Sequence, residues 1–410
     1  MKLDAILKYL GLNNHTNKIQ EIFNIEDISS KNIHFDQDID LSFEWLELLD
    51  EVQSELRTFY HLNQHNRMFI ESLILLRWLV IEYAHPSLNL VQPLPCIEQL
   101  DNQGDYHALS LIIIAGYSIR KYLDFGMDTS HITFNCNHLK NYINNYYIQH
   151  KKLGTSNYKW NFNLATISLI HLHTLHFSHH IYSKKNIVFK HRLSGRKIML
   201  ALEGIDVRED GQINTVNNIE DHCFITSYEE TNSYYKGHYV NPNGFITKDL
   251  IEISKDDYEI VLQPGDTTID FHIPTGPGYN IRDMKKSFEL AKQFFITFYP
   301  EYTYNVFSCE SWLYSPQIKE FITNTNGNIY TLNEQSYSFP STVGQHSILE
   351  FVFKQTEIDF LTIKPKTSLE KNIVDFNKQG RKINNGCYLF FLDDLDRFGE
   401  KPYRLNVSVK

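Results

Sequence analysis

Cysteine is sparse in this chain: five occur in 410 residues, Cys96, Cys136, Cys223, Cys309 and Cys387, and no two form a CxxC pair. Neither a disulfide framework nor a thiolate zinc site is indicated, and a reducing cytoplasm suits such a sequence. An excess of positive charge is also missing. Thirty-nine Lys and Arg face 49 Asp and Glu, a formal net charge of -10, so a nucleic acid would on average be repelled. Long hydrophobic runs are absent too. "LILLRWLVI" and "LSLIIIAGY" fall far short of the roughly 20 residues a membrane span needs. The opening "MKLDAILKYLGLNN" has no signal-peptide core. A soluble, cytoplasmic protein without a membrane span is expected. There is no repeat, no low-complexity tract, no Walker lysine and no GxGxxG fingerprint.

What is present is enough apolar material, 42% of the residues, for two domains that each bury a core. The two halves differ in texture, and the chain reads as α+β. Residues 1–163 recur in apolar character at helical intervals. In "LSFEWLELLDEVQSELRTFYHL", Phe43, Leu46, Leu49 and Val52 share one helical face. Helix stops are expected around Pro86, Pro93 and Pro95. Residues 164–410 alternate and are rich in β-branched and aromatic side chains, with turn signals at Asp210-Gly211 and Asn243-Gly244. They predict antiparallel hairpins, then a strand, a glycine bend, one helix and another strand. Asn280 caps that helix, with Asp283 three residues on, and Ile281, Met284, Phe288, Ala291, Phe295 and Phe298 form its buried stripe.

The bend itself reads "DFHIPTGPGYNIRD". A strand that feeds a helix through a tight glycine turn leaves amide N–H groups unpaired at the positive end of the helix dipole, where anions bind. Gly276 and Gly278 would let the backbone approach a ligand closely. A plain tight turn accounts for the same two glycines.

"TTIDFHIPTGPGY", "AKQFFITFYPEYTY", "FSCESWLYSPQI" and "TSLEKNIVDFNKQGRKINNGCYLFFL" resemble a family of GNAT-like acyltransferases in their C-terminal domain. The "YYKGHYVNPNGFI" hairpin upstream does too. In that family a helical N-terminal domain precedes the GNAT-like domain, the order found here. The resemblance implies a mixed, mostly antiparallel twisted sheet with flanking helices. Two of its central strands splay apart and admit the pantetheine arm of an acyl thioester. Mapped onto this chain, those strands run from Thr267 to Ile273 and from Tyr302 to Cys309. Ile273, Thr275, Gly276, Gly278 and Tyr279 would then bind the donor, with the two glycines near its phosphates. The family's phosphate loop is Gln/Arg-x-x-Gly-x-Gly/Ala. "PTGPGY" keeps G-x-G, lacks the leading Gln or Arg, and inserts Pro277, which has no N–H to donate. The donor is therefore acyl-CoA or a phosphopantetheine-linked acyl group on a carrier protein. The acceptor is an amine of a small molecule or peptide.

Acyl transfer to an amine needs the amine deprotonated, the carbonyl polarised and a proton for the departing thiolate. His272 closes the first strand and is the candidate base or substrate-orienting group; a structural histidine is its plainer reading. Cys309, Glu310 and Ser311 end the second strand. Glu310 could act as base and Ser311 as a donor to the leaving sulfur. Cys309 could be a nucleophile paired with His272, or a small buried apolar residue. A nucleophilic Cys309 also opens a second function, a Cys–His dyad hydrolase of thioesters or amides. A non-catalytic module that binds an acyl carrier or a peptide is a third. Trp312 and Tyr314 read as core or tunnel lining. The run "IHLHTLHFSHH" aligns His171 with His173 as a strand, or His173, His176 and His180 as a helix. It lacks a carboxylate and any zincin spacing, so no metal is expected. Glu229-Glu230 and Asp393-Asp394 read as solvated or turn residues.

Overall fold

A single backbone reversal breaks the first long amphipathic stretch. In the computed structural model, which describes residues 3–12, 35–81, 95–214, 222–274, 278–322, 324–343, 345–355 and 357–404, one helix runs Asp36–Leu46 and the next Asp50–Asn63. Between them Glu47 adopts a left-handed conformation, φ 47°. The face read from the sequence is therefore divided. Leu46, Leu48 and Val52 are buried, whereas Leu49 is 37% exposed, because the turn rotates the second helix relative to the first. Helices Leu3–Tyr9, Arg67–Ile81, Gln103–Asp124, Thr129–His150 and Tyr158–Ala165 complete this helical unit, which extends to His171. Pro86 and Pro93 lie outside the described residues. The helix Gln103–Asp124 starts where the Asn102 side chain accepts a hydrogen bond from the Gly104 amide at 3.2 Å. Its "LSLIIIAGY" run is buried nearly all round, as expected of a central helix. Among the described residues no helix is long and apolar enough to cross a membrane.

The second unit, Leu172–Lys410, is built on strands. In chain order they are β1 (Ile170–Leu172, straddling the boundary), β2 (Leu175–Ile181), β3 (Asn186–His191), β4 (Lys197–Ala201), β5 (Asp206–Arg208), β6 (His222–Ile225) and β7 (Tyr228–Glu230). There follow β8 (Tyr234–Val240), β9 (Ile246–Ser254), β10 (Tyr258–Leu262), β11 (Thr267–His272), β12 (Val306–Ser311), β13 (Tyr337–Val343) and β14 (Asn384–Phe391). One sheet has the order β1-β2-β11-β12-β14-β13, and a second has β10-β3-β4-β8-β7 with β9 also on β8. The expected turns form: Gly211 and Gly244 both have positive φ, and the Gly244 amide donates to the Asn241 carbonyl at 2.8 Å.

In the first sheet, β11 and β12 run parallel while the pairs β2–β11, β12–β14 and β13–β14 are antiparallel. A parallel pair needs a long crossover, and the helix Ile281–Phe298 supplies it. Asn280 caps this helix as expected, accepting from the Asp283 amide at 3.0 Å. Met284, Phe288, Ala291 and Phe295 are buried; Phe294 joins them, while Ile281 and Phe298 are only half-buried. Phe288 stacks on Phe307 with ring centroids 4.2 Å apart and meets Phe177, Phe271 and Phe390. One face of the sheet is thus aromatic core. Asp393 and Asp394 are not simple solvated residues. They clamp Lys197, whose side chain is 2% exposed, at 2.9 and 2.7 Å, and Asp393 also pairs with Lys190 at 2.8 Å. Glu229 and Glu230 are exposed on β7.

Candidate functional site

The register of β11 decides which side chains can meet. It pairs with β2 at six positions, from Thr267↔Ile181 to His272↔His176. Likewise β12 pairs with β14 at six, from Val306↔Phe391 to Ser311↔Gly386. Between β11 and β12 only two pairs form, Ile269↔Phe307 and Asp270↔Ser308. Past Asp270 and Ser308 the two strands part, leaving Phe271–Ile273 and Cys309–Ser311 without each other as ladder partners. The second strand begins at Val306, later than the sequence suggested, and carries Cys309, Glu310 and Ser311 within it.

Strand alternation places residues two apart on one face. Thr268, Asp270 and His272 share the face opposite the aromatic core, with His176, Ser178 and His180 from β2 and with Ser308 and Glu310 from β12. Contacts bear this out. Asp270 Oδ1 accepts hydrogen bonds from the hydroxyls of Thr268, at 3.1 Å, and Ser308. The Asp270 Oδ2 atom stands 3.9 Å from His180 Nδ1. Glu310 forms an ion pair with Lys184 through Oε2 and accepts from the Ser341 hydroxyl through Oε1. Burial opposes the charge on Glu310, but Lys184, Ser341 and His180 outweigh it and hold the carboxyl below its usual range. Burial lowers the His272 imidazole, Asp270 counteracts, and the net shift is downward.

Cys309 sits on the other face. It is buried beside Tyr388, its Cα partner on β14. Burial pushes its thiol well above the ordinary range, and Asp270, Cys387 and Glu310 push the same way. Cys387 is also pushed up by burial, to about 12. Ser311 caps the short helix Trp312–Tyr314, its Oγ accepting from the Leu313 amide at 3.2 Å. Its O–H is left to donate elsewhere. Trp312 belongs to an apolar core with Ile318, Phe321 and Ile373, and Tyr314 packs on Phe271 and Tyr388. Across from Tyr314, Gly386 is held by space: a Cβ there would lie 1.8 Å from the Tyr314 carbonyl oxygen.

At the bend, Thr275, Gly276 and Pro277 lie outside the described residues. Gly278 has φ +105°, and a Cβ would meet Thr174 Cγ2 at 2.5 Å, so glycine is required. Ile273 follows the last ladder residue and is half-buried, and the buried hydroxyl of Tyr279 turns toward Tyr314. The helix start already holds a carboxylate. Hydrogen bonds from Asn280 and Arg282 depress Asp283 to about 2, and Asn280 Oδ1 occupies the Asp283 amide. That weakens the attraction of this helix end for a phosphate.

The histidine run is a hairpin, neither one strand nor a helix. His173 is its turn, φ 59°. His176 and His180 face the polar side, and His179 faces the core, bonded to the Tyr304 hydroxyl at 2.8 Å. No group of three metal ligands occurs among the described residues. Sequence reading did not single out Asp270, Ser308, Lys184 or Ser341. Asp270 could have been found, since it precedes His272 by two and shares its face. Lys184 lies 126 positions from Glu310, and no local pattern announces it.

A family model described as the GNAT-like C-terminal domain matches residues 169–390, more than half of the chain. No curated protein matches. Among solved structures, an acyltransferase in complex with decanoyl-CoA is 16% identical with a TM-score of 0.55, over 95% of this chain and 99% of its own. An acyltransferase in complex with decanoyl-CoA and teicoplanin is 14% identical with a TM-score of 0.54, over 96% and 100%. These likenesses extend the shared fold across both units, and the family match covers the splayed sheet itself: the chain belongs to the family of the GNAT-like C-terminal domain.

Proposed function

We propose that this chain is an N-acyltransferase that moves an acyl group from a thioester directly onto an amine. The observation that carries the reading is the early end of the β11–β12 ladder, after only two pairs. It leaves two unpaired strand edges of the kind that accept an extended arm as an added strand, with polar side chains along one face. The likeness to structures that hold acyl-CoA, one of them with the glycopeptide teicoplanin, supports a thioester donor and an amine-bearing peptide or small-molecule acceptor. His272, kept neutral by burial, accepts a hydrogen bond from the amine and orients it. Ser311 ends β12 on the Cys309 face and is assigned a hydrogen bond to the leaving sulfur, which a donor arm lying between the two strand edges brings within reach of either face. Glu310, fixed by Lys184 and Ser341, shapes the electrostatics of the cleft, where a carboxylate held in its charged form is a poor general base. Ile273, Gly278 and Tyr279 border the arm of the donor.

Cys309 lies on the opposite strand face from His272, and burial, Asp270, Cys387 and Glu310 all disfavour its thiolate. Direct transfer is therefore preferred to the dyad hydrolase. The carboxylate at the helix start and the missing donor at Pro277 favour testing a carrier-linked donor beside coenzyme A. The test is turnover. Decanoyl-CoA and a decanoylated carrier protein are each incubated with a panel of peptide and small-molecule amines, and products are read by mass spectrometry. Amide formation with release of free thiol is expected. Release of fatty acid alone would point to hydrolysis, and no reaction or binding with either donor would leave only the non-catalytic module.

A further inference from the structure

The two oxygens of Asp270, like those of Glu310 on the same face, have divided roles. Oδ1 is fixed by the Thr268 and Ser308 hydroxyls, whose oxygens lie 3.0 Å apart. Thr268 is fully buried and Ser308 nearly so, so the carboxylate cannot swing. Its Oδ2 is aimed at His180 Nδ1 across 3.9 Å. That distance is longer than a hydrogen bond, but such contacts commonly tighten when substrate binds. The His180 side chain is 43% exposed, unlike the more deeply set His272, and both Glu310 and His272 feel its charge. It therefore stands at the mouth of the same cleft.

From this placement, and resting on the acyl-transfer reading above, we infer that His180 is the group that accepts the proton of the attacking amine, with Asp270 as its positioning residue. A carboxylate at Nδ1 selects the tautomer that carries its proton there, leaves Nε2 free to accept, and stabilises the imidazolium once formed. The amine nitrogen bonds to the thioester carbonyl carbon and the carbon–sulfur bond breaks. The amine proton passes to His180 Nε2, and from there to the departing thiolate or to solvent, so amide and free thiol are the only products. His272 orients the amine and His180 removes the proton. The two histidines thereby take different parts.

The test combines tautomer and turnover in the full-length chain. Long-range 15N NMR of labelled histidine at pH 7.5 should show His180 protonated at Nδ1 in the native chain, and Asp270→Asn should shift it toward the Nε2-protonated form. His180→Gln should lower kcat/KM by about 100-fold while decanoyl-CoA affinity and thermal unfolding stay unchanged. An Nε2-protonated His180 in the native chain, or a tautomer indifferent to Asp270, overturns the couple. Turnover of His180→Gln within about threefold of native overturns its role. If the native chain acylates no amine, the role falls together with the acyl-transfer reading, and the tautomer still decides whether the couple exists.

Discussion

Replacing Cys309 separates direct transfer from a covalent route, and the structure sets the size of the effect. A thiol with a value near 9 is about 1% thiolate at pH 7. Burial beside Asp270, Cys387 and Glu310 pushes Cys309 well above that, so the reactive fraction falls below about 1%. Nucleophilic catalysis from such a thiol would need a base on its own face, and His272 is on the other. Cys309→Ala should cost about 1–2 kcal/mol of stability through lost packing against Tyr388 and its neighbours. Cys309→Ser should cost about 1–3 kcal/mol by leaving a buried hydroxyl unpaired. Turnover per folded molecule should remain within about threefold of native for both. The assay is amide formation from decanoyl-CoA, corrected for the folded fraction by circular dichroism, together with intact-mass analysis of the protein during turnover. A loss beyond about 1000-fold in a folded Cys309→Ala protein, or an acyl adduct on Cys309, would refute the reasoning.

Further expectations follow from individual contacts. His272→Ala should reduce kcat/KM by about 10–100-fold, with little change in decanoyl-CoA affinity measured by calorimetry. Gly278→Ala should strain a backbone at φ +105° against Thr174; a cost of about 1–3 kcal/mol and weaker donor binding are expected, readable by thermal unfolding with and without decanoyl-CoA. Lys197→Met should leave Asp393 and the buried Asp394 without their shared cation and destabilise the C-terminal unit by about 3–5 kcal/mol, measured by urea unfolding. The Glu310 carboxyl is held below its usual range. Its contribution to stability is therefore complete above the ordinary glutamate value near 4.5 and is lost as pH falls through the lower folded value. Glu310→Gln should flatten that part of an acid-unfolding curve.

What could be read in advance follows the range of the interactions. The helix Ile281–Phe298 was legible because its cap, its stripe and its glycine bend are all local, and so were the turns at Gly211 and Gly244. The break at Glu47 was not, since a left-handed residue in an otherwise helical pattern is decided by how two helices pack rather than by their own periodicity. The candidate cleft was half legible. His272, Glu310 and Ser311 mark strand ends that local pattern finds, but the parity separating Cys309 from His272 depends on the register of a crossover pair. Lys184 and His180 enter only through long-range pairing. Asp393 and Asp394 resemble a solvated turn until β4 brings Lys197 between them.

The account stands on the gap between the ends of β11 and β12. Hydrogen–deuterium exchange with and without a non-hydrolysable thioether analogue of decanoyl-CoA tests it most directly. Protection concentrated at those amides of residues 271–273 and 309–311 that face the gap, beyond the last β11–β12 pair, is the predicted result. Binding without protection there, or protection confined to other strands, would contradict it.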